Sequence, residues 1–138
     1  MYKRQIEAFV GDCLKHLEKM PDHSVDLVYL DPPFFTQKIQ RLSTRDGDED
    51  FLFSDVWSSH REYTEFMGER LVELKRIIKK TGSVFFHCDR NAAHIARVLL
   101  DKIFGEDNFQ SEIIWYYKRW SNSKKGLTPA HQLSLIHI

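Results

Sequence analysis

The sequence predicts an α/β domain in which a mostly parallel sheet is flanked by helices. Three observations predict it. Apolar runs of strand length, VDLVYL at Val25–Leu30, SVFFHC at Ser83–Cys88 and SEIIWYY at Ser111–Tyr117, are separated by segments of helical periodicity. Strand and helix alternate along the chain, the pattern of βαβ units. The 138 residues, 42% of them hydrophobic, are enough for one domain with a real core and too few for two.

In order, Ile6–Val10 alternates loosely and reads as a short opening strand. Gly11 follows, and Asp12 stands where an N-cap would stand for a helix over Cys13–Met20, stopped by Pro21. Leu14, Leu17 and Met20 form its apolar stripe. Val25–Leu30 reads as a strand buried on both faces, as in parallel sheets. Pro32 and Pro33 end it, since neither has an N–H for the ladder. Residues 35–57 are polar and read as a long irregular loop, with Asp46, Asp48, Glu49 and Asp50 crowding Gly47 at its tip. Ser59 and Glu62 form a capping box that opens the clearest helix. Its stripe of Tyr63, Phe66, Met67, Leu71, Leu74 and Ile78 runs through Lys80, with Gly82 as the expected stop. After the strand Ser83–Cys88, Asp89 or Asn91 caps a helix with the stripe Ile95, Val98, Leu99 and Ile103, ended by Gly105. Ser111–Tyr117 closes the series as a fourth strand.

Lysine plus arginine and aspartate plus glutamate number 20 each, so the net charge is zero. That balance hides a local asymmetry, because Trp115–His131 carries Lys118, Arg119, Lys124 and Lys125 and no acid. Two cysteines, Cys13 and Cys88, give no disulfide framework and suit a reducing compartment. No apolar run approaches membrane-spanning length and the start is charged, so a cytoplasmic protein without membrane contact is expected. His87-Cys88-Asp89 invites a metal reading, but no second ligand pair stands at fitting spacing, and no metal is expected.

Asp31 ends a buried strand, the place where open α/β sheets put their ligands. On pattern alone, a strand stop followed by a solvated turn explains the same residues. GDCL at Gly11–Leu14, DPPF at Asp31–Phe34 and SVFFHCD at Ser83–Asp89 stand in order at βαβ spacing. Together they resemble the amino-terminal half of a β-class DNA amino-methyltransferase, the adenine-N6 and cytosine-N4 group. The resemblance covers the chain up to about Gln132.

The resemblance implies a partial, truncated Rossmann-like methyltransferase fold and S-adenosyl-L-methionine as cofactor. It implies that Asp31, Pro32, Pro33 and Phe34 are the catalytic residues and that Asp12 lies near the cofactor's adenosine. Double-stranded DNA would be the substrate, in a restriction–modification setting with a cognate endonuclease as a further partner. Aspartate in the first motif position favours adenine N6 over cytosine N4. The alternatives are a cytosine-N4 enzyme and a catalytically silent DNA-binding module. The basic and aromatic run Lys118, Arg119, Trp120, Lys124 and Lys125 is the expected DNA contact, cations meeting phosphates and rings meeting bases.

These readings divide the chain into a catalytic half (1–114), the start of a target-recognition region (115–132) and a tail (133–138). The six glycines never form a G-x-G, so the family's glycine-rich cofactor loop is expected beyond Ile138. Leu133–Ile138, LSLIHI, is what CTG TCT CTT ATA CAC ATC encodes, a run that matches a common transposon-end sequencing adapter. The tail is therefore expected to be foreign, and the 138 residues alone to transfer methyl groups weakly or not at all.

Overall fold

The computed structural model describes residues 5–44, 46–47, 50–117 and 131–138. Its elements are α1 (Leu14–Leu17), β1 (Val25–Leu30), β2 (Ile39–Ser43), β3 (Asp50–Ser54), α2 (His60–Ile77), β4 (Ile78–Cys88), α3 (Ala93–Phe104), β5 (Phe109–Tyr116) and β6 (His131–His137).

Four strands form one sheet in the order β1-β4-β6-β5. β1 and β4 are parallel and joined by α2, while β6 lies antiparallel to both its neighbours. β1, β4 and β5 therefore run one way with β6 reversed between the last two, so the α/β expectation holds with three of four strands in one direction. By pairing the sheet is mixed, with one parallel contact and two antiparallel. A separate antiparallel hairpin, β2–β3, leaves the end of β1.

The core lies where α2 and α3 meet the sheet. Tyr63, Met67, Leu71, Leu74 and Ile77 of α2 pack with Phe86 and Cys88 of β4, Ala96, Leu99 and Leu100 of α3, and Leu135 of β6. The helical stripe read from the sequence is the face that makes this contact. Ser59 caps α2 by accepting the Glu62 N–H at 3.1 Å, but the Glu62 carboxylate reaches back to the Ser58 N–H and hydroxyl rather than to Ser59.

Several expectations are corrected. Residues 6–10 form no strand, because a strand exists only with a ladder partner and no described strand lies beside them. The first helix shrinks from Cys13–Met20 to the single turn Leu14–Leu17, its end tightened by the Lys19 N–H to His16 and Met20 N–H to Leu17 bonds before Pro21. β1 is not buried on both faces: Val28 and Leu30 face the core, but Leu27 and Tyr29 are 58% and 56% exposed. Residues 35–57 are not irregular throughout, since they hold the hairpin.

Gly82 does not stop α2. The helix passes directly into β4 at Ile78, where the backbone turns extended. Pairing with β1 jumps from Val25↔Ile78 to Leu27↔Ser83, so β4 carries extra residues opposite two of β1. Gly82 sits in that bulge, where a Cβ would lie 2.5 Å from Ile78 Cγ1 and 3.0 Å from the Asp26 carbonyl. Close backbone approach, not helix termination, demands the glycine. Among the described residues no helix is long and apolar enough to cross a membrane.

Candidate functional site

β1 ends at Leu30, and Asp31-Pro32-Pro33-Phe34 leaves the sheet from its carboxyl end. Two cavities, of about 700 and 740 Å³, meet at this tetrapeptide, and Asp31, Pro32 and Pro33 line both. The three residues are thus a shared wall. Asp31 is exposed, and among the described residues no ion pair or hydrogen bond engages its carboxylate.

The first cavity is polar. Phe34, Thr36, Lys38, Gln40, Phe53 and Asp55 line it from the loop and hairpin, and His87, Asp89, Arg90, Asn91, Tyr117, His131 and Gln132 from the ends of β4, β5 and β6. The Phe34 ring lies 5.8 Å from the His87 ring. His87 is fixed in turn by the Ser134 hydroxyl at 2.9 Å and Gln132 Oε1 at 3.3 Å. Asp89 is occupied locally, accepting the Asn91 and Ala92 N–H groups at 3.0 Å in the turn before α3, whose N-cap position is held by Ala92 and not by Asp89 or Asn91 as expected. Arg90 is the one arginine among the described residues that forms no ion pair there; Arg41, Arg61, Arg70, Arg76 and Arg97 all do.

The second cavity is an apolar groove along the outer edge of β1. Leu17, Met20, Val25, Leu27, Val28, Phe66, Met67 and Leu74 line it, with Asp12 and Arg70 as charged members besides Asp31 of the wall. Asp12 accepts the Leu14 N–H at 3.1 Å, and Arg70 Nη2 reaches both its oxygens at 2.8 and 2.9 Å. Asp12 bonds the first turn of α1 from the residue before its N-cap, Cys13, and lines the groove. The Leu14 N–H, with the Arg70 guanidinium behind it, holds the Asp12 carboxyl below the usual carboxylate range. Arg70 itself is nearly buried, donates to the Phe66 carbonyl at 2.7 Å and lies over the Phe66 ring at 3.4 Å.

The structure brings Asp31, Pro32, Pro33 and Phe34 together with Asp12, on either side of one wall. Lys118, Arg119, Trp120, Lys124 and Lys125 lie outside the described residues. Two residues at the site had no sequence reading. Arg70 was legible in principle, as a cation at a stripe position between Met67 and Leu74 on the buried face of α2. Asp55 was not, since its partners are 15 to 21 positions away.

The sheet and its helices are part of a Rossmann-like α/β fold with two cavities at the carboxyl end of β1, and comparison with known proteins gives its family. Residues 25–137 match the DNA methylase family of N6 and N4 amino-methyltransferases, and the chain belongs to that family. It is 31% identical over 134 residues to the Type II methyltransferase M.KpnI of Klebsiella pneumoniae, covering 94% of this chain and 31% of that protein. The solved PvuII DNA methyltransferase, cytosine-N4-specific, superposes with a TM-score of 0.61 at 19% identity, over 93% of this chain and 47% of its own. A DNA modification methylase candidate of Thermus thermophilus, solved in complex with S-adenosyl-L-methionine, gives 0.55 at 18% identity over 93% and 53%. The chain spans about a third of the length of M.KpnI and about half of the two solved chains.

Proposed function

We propose that this chain carries the base-gripping half of an enzyme that transfers a methyl group from S-adenosyl-L-methionine to the N6 amine of adenine in a specific duplex DNA sequence. One observation carries the reading: an aspartate with no partner among the described residues and two prolines form the wall between a polar cavity and an apolar groove. A reaction that joins a base amine to a methyl donor needs two pockets open to each other at one point.

Adenine's exocyclic nitrogen is a poor nucleophile because its lone pair is delocalised into the ring. Asp31 accepts one amino proton and the Pro32 carbonyl the other, which favours the tetrahedral nitrogen and frees the lone pair. Pro32 and Pro33 fix the backbone so that the two acceptors stay in register. The Asp31 carboxylate also stabilises the positive charge that develops on the nitrogen. Phe34 offers a ring face to the base extruded from the duplex, offsetting part of the unstacking cost. Arg90 and Lys38, on the rim of the same cavity, suit the flanking phosphates, and the run Lys118–Lys125 extends the contact.

The groove fits the cofactor by its chemistry. It pairs apolar walls with the Asp12 carboxylate, which keeps lone pairs beyond those used by Leu14 and Arg70. Bound there, S-adenosyl-L-methionine would supply an electrophilic methyl on sulfur. Asp12 would accept from the adenosine, and Arg70 would hold Asp12 for it. The remainder of the cofactor site is assigned to sequence beyond this chain. A cognate restriction endonuclease is the proposed partner, in keeping with the Type II relative.

We also propose that Leu133–Ile138 is foreign sequence. The codon match alone supports the reading, since the segment supplies β6, where the Ser134 hydroxyl meets His87 and Trp115 and His137 Nε2 meets Asp101.

The function is tested by incubating duplex DNA with the full-length gene product and methyl-labelled S-adenosyl-L-methionine, then digesting the DNA to nucleosides. Label in N6-methyldeoxyadenosine is expected. Label in N4-methyldeoxycytidine would overturn the choice of base, and DNA binding without label would overturn the enzyme.

A further inference from the structure

Asp55 is the only acid among the described residues that is buried, at 1% exposure, and no ion pair engages it there. Its Oδ1 accepts the Phe34 N–H at 3.0 Å and its Oδ2 the Thr36 hydroxyl at 2.9 Å. Its backbone is tied to the same segment, the N–H donating to the Lys38 carbonyl at 3.0 Å and the carbonyl accepting the Gln37 N–H at 3.1 Å. Two residues on, Trp57 Nε1 donates to the Phe34 carbonyl at 3.1 Å. Both backbone polar groups of Phe34 are therefore held from residues 55–57.

The placement has a reason in the motif itself. Pro32 and Pro33 have no N–H, so Phe34 carries the first donor after Asp31 by which the loop can be anchored. Burying a carboxylate without a counter-charge is costly, and a site that needed only packing would not carry one. The carboxylate stands where the loop's donors converge.

We propose that Asp55 is a positioning residue for methyl transfer. Through the Phe34 N–H it fixes where the Phe34 ring and the Pro32 carbonyl stand relative to Asp31. The inference rests on the proposed function, and it assigns a role to a residue whose carboxylate is engaged by the loop it holds.

The test compares wild type, Asp55→Asn, Asp55→Ala and Thr36→Val in the full-length gene product. Bound labelled cofactor counts the competent sites, and single-turnover methyl transfer to duplex DNA is read per loaded site. A residue that merely supports folding would change the number of loaded sites and leave the rate at each unchanged. Asp55→Ala is expected to lower the rate per site about 10²-fold, the scale of a misplacement near 1 Å. Asp55→Asn keeps Oδ1 for the Phe34 N–H and should recover most of that loss. Thr36→Val should cost less than about 10-fold, since it removes only the outer bond. Hydrogen exchange adds a reading independent of activity: the Phe34 amide should be protected in wild type and exposed in Asp55→Ala. Equal rates per loaded site in wild type and Asp55→Ala, or equal loss in the alanine and asparagine variants, would overturn the role of Asp55 alone. A wild type that transfers no methyl group would instead overturn the function.

Discussion

On one side of Asp31–Pro33 the walls are Leu17, Leu27, Val28, Phe66 and Met67; on the other they are Thr36, Gln40, His87, Arg90 and Asn91. The apolar side is built from the packing faces of α1, β1 and α2 where β1 has no further described strand beyond it. Arg70 there pairs with Asp12 at 2.8 Å and, more loosely, with Glu69 at 4.0 Å. The polar side is built from chain ends, the loops that leave β1 and β4 at their carboxyl ends and the hairpin between them, where backbone and side-chain donors collect. On the proposed function, the contrast suits one wall to two ligands, an apolar side that would select by shape and desolvation and a polar side that would select by hydrogen bonds and charge.

The comparison breaks most visibly at the wall itself. Asp31→Ala in the full-length protein should lower methyl transfer about 10³-fold while DNA affinity stays near wild type, since the acceptor acts on the reacting amine. Parallel loss of DNA affinity, measured by titration, would mean that Asp31 serves binding. On the apolar side, Arg70→Met keeps the length of the side chain and releases Asp12. Cofactor affinity should fall about 10-fold, as for one charge-assisted bond, with the rate at saturating cofactor unchanged. On the polar side, Arg90→Ala should weaken DNA binding a few-fold and reduce the salt slope by about one, the mark of a lost phosphate contact. An unchanged slope would move Arg90 off the DNA.

The smallest effect concerns pH. Asp12 has a folded pKa below its ordinary 3.8, so whatever the Asp12–Arg70 pair adds is fully present above that value. It is lost only as pH falls through the lowered pKa. Cofactor affinity should therefore be flat from pH 8 down to about 5, and a decline within that window would assign the groove to another titrating group. The buried Cys88 thiol, pushed up to about 12 by desolvation, stays protonated and unreactive throughout.

What was legible followed from local pattern. The β1 run, the capped stripe of α2, the second half of β4 and α3 with Gly105 all carry their periodicity in consecutive residues. The tetrapeptide was legible because two prolines after an apolar run mark a strand end. The β2–β3 hairpin was missed because Ile39, Leu42, Phe51 and Phe53 alternate weakly around the acidic turn at Asp46–Gly47. Gly82 was misread because a helix stop and a strand bulge call for the same residue, and only the register with β1 separates them. Val25–Leu30 looked doubly buried because composition does not reveal which face lacks a neighbour. Asp55 and Arg70 act through partners 21 and 58 positions away, and no window along the sequence holds such a pair.

A structure of the full-length protein with S-adenosyl-L-methionine and a duplex carrying its target sequence tests the shared wall most directly. The sulfonium should lie in the groove beside Asp12, and the extruded adenine in the polar cavity, its amine within hydrogen-bond reach of Asp31 and the Pro32 carbonyl. A cofactor seated among Thr36, Gln40 and Arg90, or a base amine that meets neither acceptor, would contradict the account.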